Sequence, residues 1–200
     1  MMEAGPDRDA RDSALDAILP LVPLYGWQSG AITEGLRDIG MAPEDAEWMF
    51  PRGAISAIEA WIDLADRRME AAAATADLAG LRVHERVRLL IKLRLEAAEP
   101  HRDALRAALS LLALPWHAPI AARSLARSVN VIWYAAGDKS ADFSWYTRRA
   151  TLAAIYSATL AFWLSGKGDG LEATLDFLDR RLADHARLHK GMSRFKLRPA

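Results

Sequence analysis

Residues 29–50 read Ser29-Gly30-Ala31-Ile32-Thr33-Glu34-Gly35-Leu36-Arg37-Asp38-Ile39-Gly40-Met41-Ala42-Pro43-Glu44-Asp45-Ala46-Glu47-Trp48-Met49-Phe50. Two short apolar-periodic runs flank the connection Gly40-Met41-Ala42. Ser29 can cap the first helix, and Gly40 supplies the left-handed residue that ends it. Pro43 suits the first position of the second helix, which Pro51 stops. This is the layout of a helix-turn-helix. Its charges are wrong for DNA, because the second helix holds Glu44, Asp45 and Glu47 and no basic residue. The first fifty residues carry three basic side chains against ten acidic ones. Affinity for DNA rests on neutralising phosphates with Lys and Arg, so the pattern predicts the shape without the binding.

Outward from that module, every segment reads as helix. Helices are expected over about 8–19, 54–79, 83–98, 102–112, 119–136, a start at Ser140 or Asp142 running to 164, and 170–187. Ala, Leu, Arg and Glu dominate, and no strand-like alternation bounded by turns occurs. The expected fold class is all-α, with about nine helices in three parts. These are a helix-turn-helix-like module over 1–52, a helical domain over 53–187, and a basic tail over 188–200. With 52% hydrophobic residues, the 200-residue chain can bury a sizeable core. Residues 150–166 carry no charge, which predicts a central helix buried on all sides.

Much chemistry is excluded by composition. Without cysteine there is no disulfide framework, zinc-thiolate site or cysteine nucleophile. None of His84, His101, His117, His185 and His189 has an acidic residue three positions before it, as a di-iron helix pair requires. His185 and His189 have zincin spacing but no intervening Glu. No enzyme, metal site or cofactor is expected. An acid-rich opening segment, unlike a secretory or transit peptide, leads to the expectation of a bacterial cytoplasmic protein. The basic tail adds the expectation of peripheral association with the inner membrane.

The residues Trp133-Tyr134-Ala135-Ala136-Gly137-Asp138-Lys139-Ser140-Ala141-Asp142-Phe143-Ser144-Trp145-Tyr146-Thr147-Arg148-Arg149 place two aromatic pairs around a capped turn. Packing at a helix corner explains the caps. It does not explain a Trp, a Tyr and two Arg crowding one helical turn, a mixture common at binding hot spots. Asp142, Trp145, Tyr146, Arg148 and Arg149 are therefore candidate partner-binding residues. In the tail, Leu188, Met192 and Phe195 fall on one helical face among basic residues and are candidates for weak peripheral membrane contact.

An all-α chain opening on a helix-turn-helix resembles TetR-type regulators. The string from Gly137 to Arg149, with Phe177-Leu178-Asp179-Arg180-Arg181 and Met49-Phe50-Pro51-Arg52-Gly53, closely resembles a more particular family. That family is the coenzyme Q (ubiquinone) biosynthesis accessory lipid-binding proteins, ninth in the numbered coenzyme Q series. Ala31-Ile32-Thr33-Glu34-Gly35-Leu36, Leu93-Arg94-Leu95-Glu96-Ala97 and Ala108-Leu109-Ser110-Leu111-Leu112-Ala113-Leu114-Pro115 match as well. Ser144 stands where the family usually has Asn, and its mitochondrial members carry a long amphipathic C-terminal helix, whereas this sequence ends at Ala200.

The resemblance implies a TetR-like fold without DNA binding, a homodimer, and binding of isoprenoid quinone intermediates or phospholipid. It also implies presentation of that ligand to a demethoxyubiquinone hydroxylase docked around Trp145 and Tyr146. Helical phase nominates Leu90, Leu93, Leu109, Leu112, Ile132, Ile155 and Leu160 as the lipid-binding lining. The alternatives are a TetR-type transcriptional regulator sensing a hydrophobic ligand and a packed dimerisation module.

Overall fold

Helix-favouring composition is realised along the whole described chain. The computed structural model describes residues 7–76, 78, 80–138, 144–166 and 170–195, with the side chains of the same residues apart from 144 and 185–195. The order is α1 (Arg8–Ile18), a 3-10 turn (Leu19–Leu21), α2 (Val22–Tyr25), α3 (Ser29–Asp38), α4 (Asp45–Met49), α5 (Ala54–Thr75) and α6 (Val83–Ala98). A 3-10 turn (Glu99–His101), α7 (Arg102–Leu112), another 3-10 turn (Pro115–His117), α8 (Ala118–Ala135), α9 (Ser144–Leu164) and α10 (Gly170–Phe195) follow. Eight of these helices have ten or more residues, and the described residues contain no strand. The fold is all-α among the described residues.

The chain forms two compact units, residues 1–71 with 97–128 and residues 72–96 with 129–200. This partition differs from the breaks at 52 and 187 expected from the sequence.

In the first unit, α1, α3, α5 and α7 converge on one apolar core. Leu15, Ile18, Leu19, Leu36, Met49, Phe50 and Ile58 are its largest fully buried side chains. Gly35 lets α3 approach α1 closely, since a Cβ there would lie 2.6 Å from Ile18 Cγ1 and 3.0 Å from the Ile18 backbone. Trp27 is buried, donates from Nε1 to the Ala104 carbonyl at 2.9 Å, and tilts against Trp61 with ring centroids 5.6 Å apart. Two bidentate pairs tie α1 to α5: Arg67 grips Asp12 at 2.7 Å on both oxygens, and Arg68 grips Asp16 at 2.8 and 2.6 Å. The Asp12 hydrogen bond is the main reason Arg67 is held even more firmly protonated than usual.

The helix-turn-helix region departs from expectation in detail. Ser29 is the first helical residue of α3, and no side chain caps that end. Gly40 does take the left-handed conformation, at φ 74°, and Met41 N–H bonds back to Leu36. Beyond it, Pro43 and Glu44 lie in a turn closed by Asp45 N–H to Ala42 and Ala46 N–H to Pro43. The second helix is therefore only Asp45–Met49, five residues long.

In the second unit, α6, the end of α8, α9 and α10 bury Val87, Leu90, Ile91, Leu95, Ile132, Leu152, Trp163, Leu175 and Leu178. Phe162 and Phe177 stack nearly parallel, centroids 4.6 Å apart. Buried Arg94 donates from Nε to the Tyr156 hydroxyl at 2.6 Å. The uncharged α9 is not buried on all sides. Ala150, Ala154, Ser157 and Ala161 form an exposed stripe at helical spacing, opposite buried Leu152, Tyr156, Thr159 and Trp163. No single helix among the described residues is long and apolar enough to cross a membrane. The last helix runs to Phe195 rather than ending near Arg187, so the first eight residues of the expected tail continue α10.

Candidate functional site

Gly137 ends α8 at φ 86°, with its N–H bonded to Tyr134 and the Asp138 N–H to Trp133 at 3.0 Å. That turn aims the Asp138 carboxylate, nearly buried, back toward α9. Asp138 accepts from Arg148 at 3.0 Å and from Arg149 at 3.4 Å. Arg149 also donates from Nε to Asn130 Oδ1 at 2.5 Å, and its guanidinium lies over the Trp145 ring at 3.8 Å. Trp145 meets Tyr146 edge-on with centroids 4.7 Å apart. On the far side of the turn, Arg86 donates to the carbonyls of Leu81 and Ala136.

The arrangement sorts the candidate docking residues. Tyr146 is 69% exposed and Tyr134 68% exposed, so both present aromatic surface. Trp145 is half-buried, and Arg148 is largely exposed. Arg149 is 8% exposed, which corrects its reading as a surface contact. A buried guanidinium needs compensating partners, and Asp138, Asn130 and the indole face supply them, making it the support beneath the aromatic surface. Asp142 lies outside the described residues. So do the side chains of Leu188, Met192 and Phe195.

Beside this surface, the same unit holds a cavity of about 680 Å³. Its walls are Val83, His84, Glu85, Val87 and Arg88 of α6, Trp133 of α8, Arg148, Thr151, Leu152 and Ile155 of α9, and Asp179, Leu182 and Ala183 of α10. The size falls within the usual range for small-molecule sites. Its exposed wall surface is mainly apolar, with His84, Glu85, Arg88, Arg148, Thr151 and Asp179 as polar groups. Arg88 donates from Nε to Asp179 at 2.6 Å, and this bond is the main reason the guanidinium is held more firmly protonated than usual. Arg148 both lines the cavity and pairs with Asp138, so the cavity wall adjoins the aromatic surface.

Of the seven lining residues nominated from helical phase, Ile155 alone stands on this wall. Leu90 and Ile132 are fully buried in the core of the second unit, and Leu93 and Leu160 are half-buried away from the wall. Leu109 and Leu112 belong to the core of the first unit. Phase identifies an apolar face but not whether that face meets a neighbouring helix or a void. Val83, Val87, Trp133, Leu152 and Leu182 were missed for that reason. No cluster of three or more metal-ligating side chains occurs among the described residues.

The model of the COQ9 family matches residues 118–189. The chain is 32% identical over 201 residues to the Drosophila melanogaster protein named ubiquinone biosynthesis protein COQ9, mitochondrial, covering 94% of this chain and 61% of that relative. The human protein of the same name is 31% identical over 177 residues, covering 85% and 55%. The chain thus spans somewhat more than half the length of these curated relatives. A solved TetR transcriptional regulator from Nitrosomonas europaea ATCC 19718 superposes with a TM-score of 0.71 at 24% identity, over 89% of this chain and 98% of that one, and so shares the fold. The expected bacterial cytoplasmic location, with attachment to an inner membrane, is overturned: the similar COQ9 proteins are all named as mitochondrial. An acid-rich opening segment was too weak a signal to assign a compartment.

Proposed function

Since this chain carries a COQ9 family domain over residues 118–189, we propose that it acts in ubiquinone biosynthesis as a lipid-binding accessory protein rather than as a catalyst. In this reading it holds an isoprenoid quinone intermediate in the α6–α8–α9–α10 cavity and presents it to a demethoxyubiquinone hydroxylase docked on Trp145, Tyr146 and Arg148. The observation that carries the reading is the adjacency of a mainly apolar 680 Å³ cavity to the exposed aromatic surface, with Arg148 common to both. A ligand leaving that cavity would emerge where the partner sits.

Two further features fit the same reading. The exposed stripe of small, uncharged residues on α9 suits close packing against a second copy of the chain. The TetR-type alternative, DNA binding, is disfavoured by α4, whose five residues include Asp45 and Glu47 and no cation.

Lipid extracted from the natively purified protein and identified by mass spectrometry tests the proposal. An isoprenoid quinone or its precursor should co-purify, and Ile155→Trp, which fills the cavity, should remove it while the protein stays folded. Absence of isoprenoid lipid from the native protein, or undiminished lipid in the folded variant, refutes it.

A further inference from the structure

The first unit contains a separate cavity of about 720 Å³ with the opposite character. Arg8 and Arg11 of α1, Arg52 of the α4–α5 turn, Arg67 of α5 and Arg127 of α8 line it. Asp12, Glu59 and Asp63 are the carboxylates facing them. Five guanidiniums against three carboxylates leave an excess of positive charge.

Pairing within the fold places that excess. Arg67 is taken up by Asp12 and Asp63, and Arg52 pairs with Glu59. Arg127 lies 3.6 Å from Asp63 and 3.5 Å from Asp66, and it donates to the Glu59 carbonyl. Arg8 and Arg11 have no side-chain hydrogen bond or ion pair among the described residues, and the Arg11 Nε is buried without a partner. Both stand in the first four positions of α1, where the helix dipole disfavours cations. Only three basic residues occur among the first fifty, and two of them face this cavity.

We propose that the cavity binds a phosphate-bearing anion through Arg8 and Arg11, with Arg127 completing the cradle. Guanidinium forks match phosphate oxygens in pairs, and such charge-assisted bonds are the strong ones. An anion at this point would also offset the unfavourable charge at the start of α1. The inference concerns the first unit alone and stands apart from the lipid reading.

A free phosphorylated metabolite and a phospholipid headgroup share this chemistry, so the test has two arms. Titration calorimetry of the full chain at low salt uses inorganic diphosphate. Co-sedimentation uses vesicles of phosphatidylcholine with and without phosphatidic acid. In at least one arm the wild type should bind, with Arg8→Gln/Arg11→Gln weaker by about tenfold or more. Arg123→Gln, exposed on α8 outside the cavity, should bind like the wild type. Loss in the diphosphate arm identifies a free ligand, and loss confined to vesicles identifies a headgroup. Arg8→Gln alone, at an exposed site, serves where the double variant melts early. No binding in either arm, or equal binding by folded variants, overturns the proposal.

Discussion

The Arg149 guanidinium lies over Trp145, 3.8 Å from the ring centroid, while its Nη1 faces the nearly buried carboxylate of Asp138 at 3.4 Å. One buried cation thus fixes both the turn after α8 and the aromatic start of α9. A basic residue at this point serves as internal scaffolding, and the surface above it inherits its rigidity.

Arg149→Ala should destabilise the protein by about 3 kcal/mol, because Asp138 and Asn130 lose a buried partner. Arg149→Lys should recover little, since an ammonium cannot serve Asn130, Asp138 and the indole face together. Chemical denaturation of both variants checks this, and a loss under 1 kcal/mol for the alanine would refute the scaffold role.

Tyr146→Ala should leave stability within about 0.5 kcal/mol of wild type, as expected for an exposed side chain. If the hydroxylase docks as proposed, the same change weakens association by about 2 kcal/mol, roughly 30-fold. Pull-down or calorimetry with the hydroxylase reads the second effect, and thermal melting reads the first.

Gly35→Ala should cost about 1–3 kcal/mol. The added methyl would meet not only the Ile18 side chain but its backbone at 3.0 Å, so α1 and α3 must separate. A variant as stable as the wild type would show that the two helices shift apart freely.

His101 gives a pH signature. Burial is the main cause of its lowered pKa; Asp16 raises it and Arg68 lowers it, without reversing the shift. The unfolded imidazole titrates at its ordinary value, about 6.5, so below that pH the unfolded chain binds more protons than the folded one. The associated stability is full above about pH 6.5 and falls as pH drops toward the folded value. His101→Gln should flatten that acid-side slope in denaturation curves taken from pH 7 to 5. An unchanged slope would refute the assignment.

The long elements were legible because their punctuation is local. α6 and α7 fall at Val83–Ala98 and Arg102–Leu112 as the sequence predicts, since Pro100 and the flanking polar residues act at short range. The shorter elements were less so. Pro43 is compatible with a helix start, yet the turn bonds to Ala42 and Pro43 delay α4 to Asp45. Site residues were the hardest to read. Nothing near Arg149 in the sequence says that Asn130, 19 residues earlier, will accept its hydrogen bond. Equally, an apolar phase cannot separate Leu152, which faces the void, from Leu90, which packs into the core.

The paired arginines of α5 also act as a ruler for α1. Asp12 and Asp16 are one helical turn apart, so a slide of α1 by one turn, about 6 Å, would keep the two carboxylates in phase with the arginines. Moved one way, that slide carries Asp12 to Arg68 but sets Arg8 against Arg67, cation on cation. Moved the other way, it brings Asp16 to Arg67 and offers Pro20 to Arg68, which cannot answer a charge. The observed alignment alone satisfies both arginines. The exposed Arg68–Asp16 pair adds little stability, but with the part-buried Arg67–Asp12 pair it disfavours the two nearest misalignments of the opening helix.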